Sequence, residues 1–121
     1  MLNDIVYSKY VIEHVGWRII EKFIGELYRI LKDGGKAIII APDLRKQCEI
    51  ILSKKELNLE PDIQMIFGDQ NYIDDKWQWN AHASSCSPEL YEKLFRDAEF
   101  RYVNITPIPQ WIADIEIIAI K

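Results

Sequence analysis

Only two histidines occur in this 121-residue chain, His14 and His82, and imidazole is the side chain whose ordinary pKa lets it exchange a proton near neutral pH. His14 follows Glu13 in "YVIEHVG". That pair can move a proton from a hydroxyl or amine, or it can simply open a helix with His14 bonded to backbone. His82, in "WNAHASS", can serve the same chemistry from a loop or stand in solvent. Phe67, Tyr72, Trp77 and Trp79 lie nearby in sequence and suit the wall of a cleft, because ligand pockets favour aromatic linings with few polar groups. They suit equally well the packing of a loop onto a sheet. Asp74 and Asp75 are adjacent carboxylates without further ligands in the pattern, which reads as a solvated turn, so no metal site is expected. Cys48 and Cys86 form no CxxC and no disulfide framework. The five glycines are Gly16, Gly25, Gly34, Gly35 and Gly68, and no GxG occurs. A phosphate-cradling glycine loop is therefore not encoded, which disfavours a nucleotide-binding dehydrogenase half.

The chain that must position these residues is one domain, residues 1–121. Hydrophobic residues make up 49% and charged ones 28%, the balance of a folded globular protein. A net charge of -4 with no basic run disfavours nucleic acid as a partner. No apolar run approaches the roughly 20 residues of a membrane helix, and the first residues lack the pattern of a signal peptide. No membrane partner is expected, and the cytoplasm is the expected compartment.

Strand and helix alternate along the sequence. "DIVYS", residues 4–8, has the profile of a buried strand ending at a functional edge. Trp17, Ile20, Phe23, Ile24, Leu27, Ile30 and Leu31 recur at helical spacing, with charged residues between them. Gly34, in "KDGG", is placed to cap that helix in the left-handed conformation. "KAIIIAPD" lacks alternation, as a central parallel strand covered on both faces does. Leu44, Cys48, Ile51 and Leu52 mark a helix over about residues 44–57. Residues 58–86 show no period and read as a lid or substrate loop. Ser87 and Pro88 form an N-cap with proline at the first helical position, ahead of an apolar face of Leu90, Tyr91, Leu94, Phe95 and Ala98. "FRYVNITPI" and "WIADIEIIAIK" close the chain as two strands, the last antiparallel to its predecessor.

Three stretches, in order, resemble the C-terminal half of the class I methyltransferases that use S-adenosylmethionine. "DIVYSKYVIEHV" is similar to the family's fourth strand and following turn, "ELYRILKDGGKAIIIAPD" to its helix and fifth strand, and "SPELYEKLFRDAEFRYV" to its late helix and sixth strand. The resemblance implies an α/β fold, a partial Rossmann-like methyltransferase sheet of about four strands in the order 4-5-7-6 with flanking helices. It also implies transfer of a methyl group from S-adenosylmethionine to a small-molecule acceptor. Carried over residue by residue, Tyr7, Ser8 and Tyr10 would bind the cofactor, and Glu13 and His14 would be catalytic. Asp43, Trp77, Trp79 and His82 would face the acceptor. Asp33 stands where the family usually has proline, and Glu99 where a glycine often stands; a left-handed Glu99 would cost roughly 1 kcal/mol. The glycine-rich loop of the family's first strand has no counterpart, so a truncated chain, not competent alone, is expected. The alternative is a non-catalytic remnant acting as an interaction module. Either way the outer edge of the first strand should pair, with a second copy or with a missing N-terminal segment.

Overall fold

The computed structural model describes residues 2–70 and 80–121. Strand β1 (Asn3–Lys9) leads through a short 3-10 turn (Ile12–His14) to helix α1 (Ile20–Arg29) and strand β2 (Leu31–Pro42). Helix α2 (Leu44–Ser53) follows, then a π-helical turn (Leu59–Ile63) running into the short helix α3 (Gln64–Phe67). Helix α4 (Pro88–Asp97) and strands β3 (Tyr102–Pro107) and β4 (Asp114–Ile120) complete the described elements.

The strands form one sheet in the order β1-β2-β4-β3. β1 and β2 are parallel, with Tyr7 opposite Ile38 and Ser8 opposite Ile39. β4 inserts antiparallel between β2 and β3, with Ile117 opposite both Ile39 and Ile105. This is the order and direction expected from the sequence. Along β4 burial alternates, Ile115, Ile117 and Ala119 inside and the residues between them half-buried. The inner row joins Ala37, Ile39 and Ala41 of β2, Ile24 and Leu27 of α1, and Tyr91 and Phe95 of α4 in one core. Ser87 caps α4 by accepting the Leu90 N–H, with proline in the first turn. No helix among the described residues is long and apolar enough to cross a membrane.

Several local expectations change. β1 is not a strand buried on both faces: it lies at the sheet edge, with Ile5 56% and Tyr7 60% exposed. Its apolar composition therefore leaves an uncovered strand. β2 is buried on the core face and at Ile40, while Ile38 is half-buried. Trp17 lies before α1 and is exposed, and Leu31 is buried as the first residue of β2 instead of the last of the helix. The helix ends at Arg29 with Ile30 as its C-cap, so Gly34 does not cap it. Gly34, at φ +80°, instead turns the chain where its N–H donates to the Lys121 carbonyl at 2.8 Å. Gly35 has the stricter role, since a Cβ there would sit 2.9 Å from the Lys32 carbonyl oxygen and 3.0 Å from that of Asp4. α2 is shorter than expected, and Cys48 and Leu52 of its supposed inner face are exposed. The buried residue of α2 is Gln47. Part of residues 58–86 is helical instead of loop. The last strand begins at Asp114, three residues after Trp111. Glu99 does adopt a positive φ, 78°.

Candidate active site at the carboxyl ends of the strands

In open α/β sheets the ligand side is the carboxyl ends of the parallel strands, and there the chain makes an unusual turn. Tyr10 follows β1 at φ 59°, a left-handed conformation that costs a non-glycine residue roughly 1–2 kcal/mol. Two hydrogen bonds hold it: its N–H donates to the Ile40 carbonyl at 3.1 Å, and its phenol donates to Asp114 Oδ2 at 2.8 Å. Burial, reinforced by that bond, pushes the phenol pKa up to about 12. Tyr10 is thus a hydrogen-bond donor here and not a base. The single 3-10 turn beyond it ends at extended Val15 (φ -84°, ψ 127°).

Glu13, in that turn, is 1% exposed. Burial raises its pKa, against the lowering effect of backbone hydrogen bonding and of His14. Its Oε1 lies 3.9 Å from His14 Nε2, too far for a hydrogen bond, and its Oε2 is buried without a partner among the described residues. The turn is fastened by a segment from far along the chain. The Glu13 carbonyl accepts the N–H groups of Ala83 at 2.7 Å and Ser84 at 3.2 Å, and Ser84 Oγ donates to the Val15 carbonyl at 2.7 Å. That segment is fastened in turn to α3: the His82 N–H donates to the Phe67 carbonyl at 2.9 Å. Gly68, at φ +84°, lets the two backbones meet, since a Cβ there would lie 2.5 Å from the Asn80 carbonyl oxygen.

The result brings His82 against His14, ring centroids 5.3 Å apart and nearly edge to face. Both rings are anchored in the same way. His14 Nδ1 lies 3.0 Å from the Ala81 carbonyl oxygen, and His82 Nδ1 lies 3.2 Å from that of Ile66. A carbonyl only accepts, so each Nδ1 carries a proton and donates, and in the neutral form of either ring the lone pair is on Nε2. Burial, then the neighbouring His14, lowers the His82 pKa and favours the neutral ring.

Tyr10, Glu13, His14, His82, Gln47 and Asp114 line one cleft of about 460 Å³. Gln47 is 3% exposed; its Nε2 donates to the Met65 carbonyl at 2.9 Å, while its Oε1 is buried without a partner among the described residues. Sequence reasoning missed Gln47 and Asp114. A polar residue at the inward position of an otherwise apolar helix pattern was the available signal for Gln47; Asp114 carried none, lying inside a strand-like run.

The other candidates fall elsewhere. Asp43 caps α2, its Oδ1 accepting the Lys46 N–H at 3.1 Å, and it borders a separate groove with Trp111 and Pro107. Ser8 Oγ, at the end of β1, is buried without a partner among the described residues, whereas Tyr7 is largely exposed. Trp77 and Trp79, with Tyr72, Asp74 and Asp75, lie outside the described residues.

A family profile described as "Methyltransferase domain" matches residues 3–39. No curated protein sequence matches the chain. Among solved structures, an O-methyltransferase family 2 protein from Planctomyces limnophilus in complex with apigenin superposes with a TM-score of 0.63 at 13% identity, over 100% of this chain and 31% of that one. A putative O-methyltransferase from Nostoc punctiforme gives 0.62 at 16% identity, over 99% and 32%. Human N-acetylserotonin methyltransferase in complex with S-adenosylmethionine gives 0.62 at 16% identity, over 98% and 29%. The chain thus spans about a third of the length of these structures.

Proposed function

We propose that this chain, a class I S-adenosylmethionine-dependent methyltransferase-like domain, contributes the acceptor end of a methyl-transfer site. The acceptor would be a small molecule with a hydroxyl or amine. The observation that carries the reading is the free Nε2 of His14, anchored through Nδ1 at the mouth of a cleft beyond β1.

S-adenosylmethionine, when bound, supplies an electrophilic methyl group. The residues present fit one end of it: Ser8 Oγ is an orphaned polar atom where a cofactor would pass the end of β1. No glycine cradle is encoded in these 121 residues, so full binding is assigned to an assembled or longer form. His14 Nε2 takes the acceptor proton as the acceptor oxygen or nitrogen forms its bond to carbon. Gln47 Oε1 has a free lone pair for a second donor on the acceptor, and Tyr10 with Asp114 closes the far wall. The cytoplasm is the compartment this reading assigns.

A second reading, a non-catalytic module that associates through β1, is supported by the exposed Ile5 and Tyr7 on an edge strand. An uncovered apolar edge favours strand pairing with another chain or segment.

Calorimetric titration with S-adenosylhomocysteine separates the two. Saturable heat, retained in His14→Ala while methyl transfer is lost, supports the first reading. No heat at millimolar ligand shows that this chain does not bind the cofactor by itself, and the second reading then stands for the chain alone.

A further inference from the structure

We propose that Glu13, His14 and His82 form a binding site for a divalent transition-metal cation, open on its cleft side. One ligand atom from each of the three residues lies within 4.8 Å of the others. Two imidazole nitrogens and a carboxylate oxygen are the donor set that suits zinc and its first-row neighbours, more than the all-oxygen shells of magnesium or calcium.

Three further observations point the same way. Each histidine has its Nδ1 committed to a backbone carbonyl, Ala81 for His14 and Ile66 for His82. That outer hydrogen bond fixes the tautomer in which Nε2 is the ligand, as it does for metal-bound histidines generally. Glu13 is almost wholly buried with an oxygen that has no partner among the described residues. A carboxylate is costly to bury in that state unless it is paired or coordinates a metal. Protonation does not remove the difficulty, because the resulting hydroxyl would still need an acceptor. His14 does not satisfy it either, since 3.9 Å separates Nε2 from the nearer oxygen. The loop contacts, finally, assemble these residues from distant parts of the chain: the Glu13 carbonyl binds Ala83 and Ser84, and Gly68 admits the segment carrying His82.

Ligand atoms around a tetrahedral zinc stand roughly 3.3 Å apart, from bonds near 2.0–2.1 Å. From within 4.8 Å of one another, the ligand atoms reach that spacing by approaching at most about 1.5 Å. Three protein ligands leave a fourth position, and the cleft of Tyr10, Gln47 and Asp114 lies on that side. An acceptor hydroxyl placed there would ligate the cation and lose its proton more readily. With the cation bound, the Nε2 lone pairs are occupied, and the proton of the cation-bound hydroxyl would leave to solvent water instead of to His14.

The inference goes beyond methyl transfer and stands without it, because its test contains neither methyl donor nor acceptor. The 121-residue chain, stripped with chelator, is titrated calorimetrically with Zn²⁺ and with Mn²⁺. One saturable site per chain is expected, weakened at least tenfold in His14→Ala and in His82→Ala and unchanged in Cys48→Ser, which alters the exposed thiol. Co²⁺ loaded into the unaltered chain should give visible ligand-field bands of mixed nitrogen and oxygen coordination, a readout that survives if a histidine variant misfolds. No saturable binding at millimolar metal overturns the proposal. So does a Co²⁺ spectrum of the hydrated ion, or an affinity untouched in both folded histidine variants.

Discussion

The phenol of Tyr10 donates to Asp114 Oδ2 at 2.8 Å, tying the end of β1 to the start of β4 across the whole width of β2. The bond offsets a strained backbone at Tyr10, φ 59°, and holds one wall of the cleft. Tyr10→Phe should cost about 1 kcal/mol, the net worth of one hydrogen bond. The phenol pKa is raised from 10.0 to about 12, so the fold favours the protonated form. Its contribution is present below pH 10 and lost as pH rises through about 12. Thermal denaturation between pH 9 and 12 should show the native chain losing stability more steeply than Tyr10→Phe; parallel curves would remove the bond from the energetic account.

Glu13 should be a liability to the metal-free fold. Its carboxylate is buried, and one oxygen has no partner among the described residues, so Glu13→Met removes the buried charge and that oxygen at similar volume. In chelator at pH 7 the variant should melt higher, by roughly 3–6 °C for a gain on the order of 1 kcal/mol. A lower melting temperature would show that Glu13 is stabilised by a contact absent from this arrangement.

Gly35 should tolerate no side chain. Its Cβ would meet the backbone oxygens of Lys32, Asp4 and Asn3 at 2.9–3.1 Å, and backbone cannot swing away as a side chain can. Gly35→Ala should destabilise by about 2 kcal/mol through displacement of β1. Gly16, where an added Cβ would meet nothing within 4 Å, supplies the control. Chemical denaturation of both alanine variants checks the contrast; equal midpoints would refute it.

β1 should mediate association. Ile5 is 56% exposed on an edge strand, and a lysine on such an edge opposes pairing. Light scattering after size exclusion should find association at high concentration for the native chain and a monomer for Ile5→Lys. A native chain that stays monomeric at the same concentration would count against this surface.

Much of the architecture was legible in local pattern. The unalternating run around Ile38–Ile40 marked a central strand, Ser87 with Pro88 marked the start of α4, and the closing pair of strands emerged in the expected order. Position within the sheet was less legible. The apolar composition of β1 suggested burial on both faces, but burial depends on neighbours, and β1 has one paired edge and exposed Ile5 and Tyr7. Gly34 and Gly35 suggested a cap because glycine pairs often end helices; their true constraint is the close approach of β1 and Lys121, a contact between distant segments.

The sequence by itself determined the strand and helix order and the residue types able to do chemistry, because periodicity, capping and side-chain pKa are local properties. It left His82 more readily a solvated loop residue than a partner in a site. Tertiary structure decided that His82 meets His14, that Glu13 is buried with a lone oxygen, and that Gln47 faces the same cleft. The physical reason is that proximity across the fold depends on backbone hydrogen bonds between distant segments, such as those from Ala83 and Ser84 to the Glu13 carbonyl, and no local spacing encodes them.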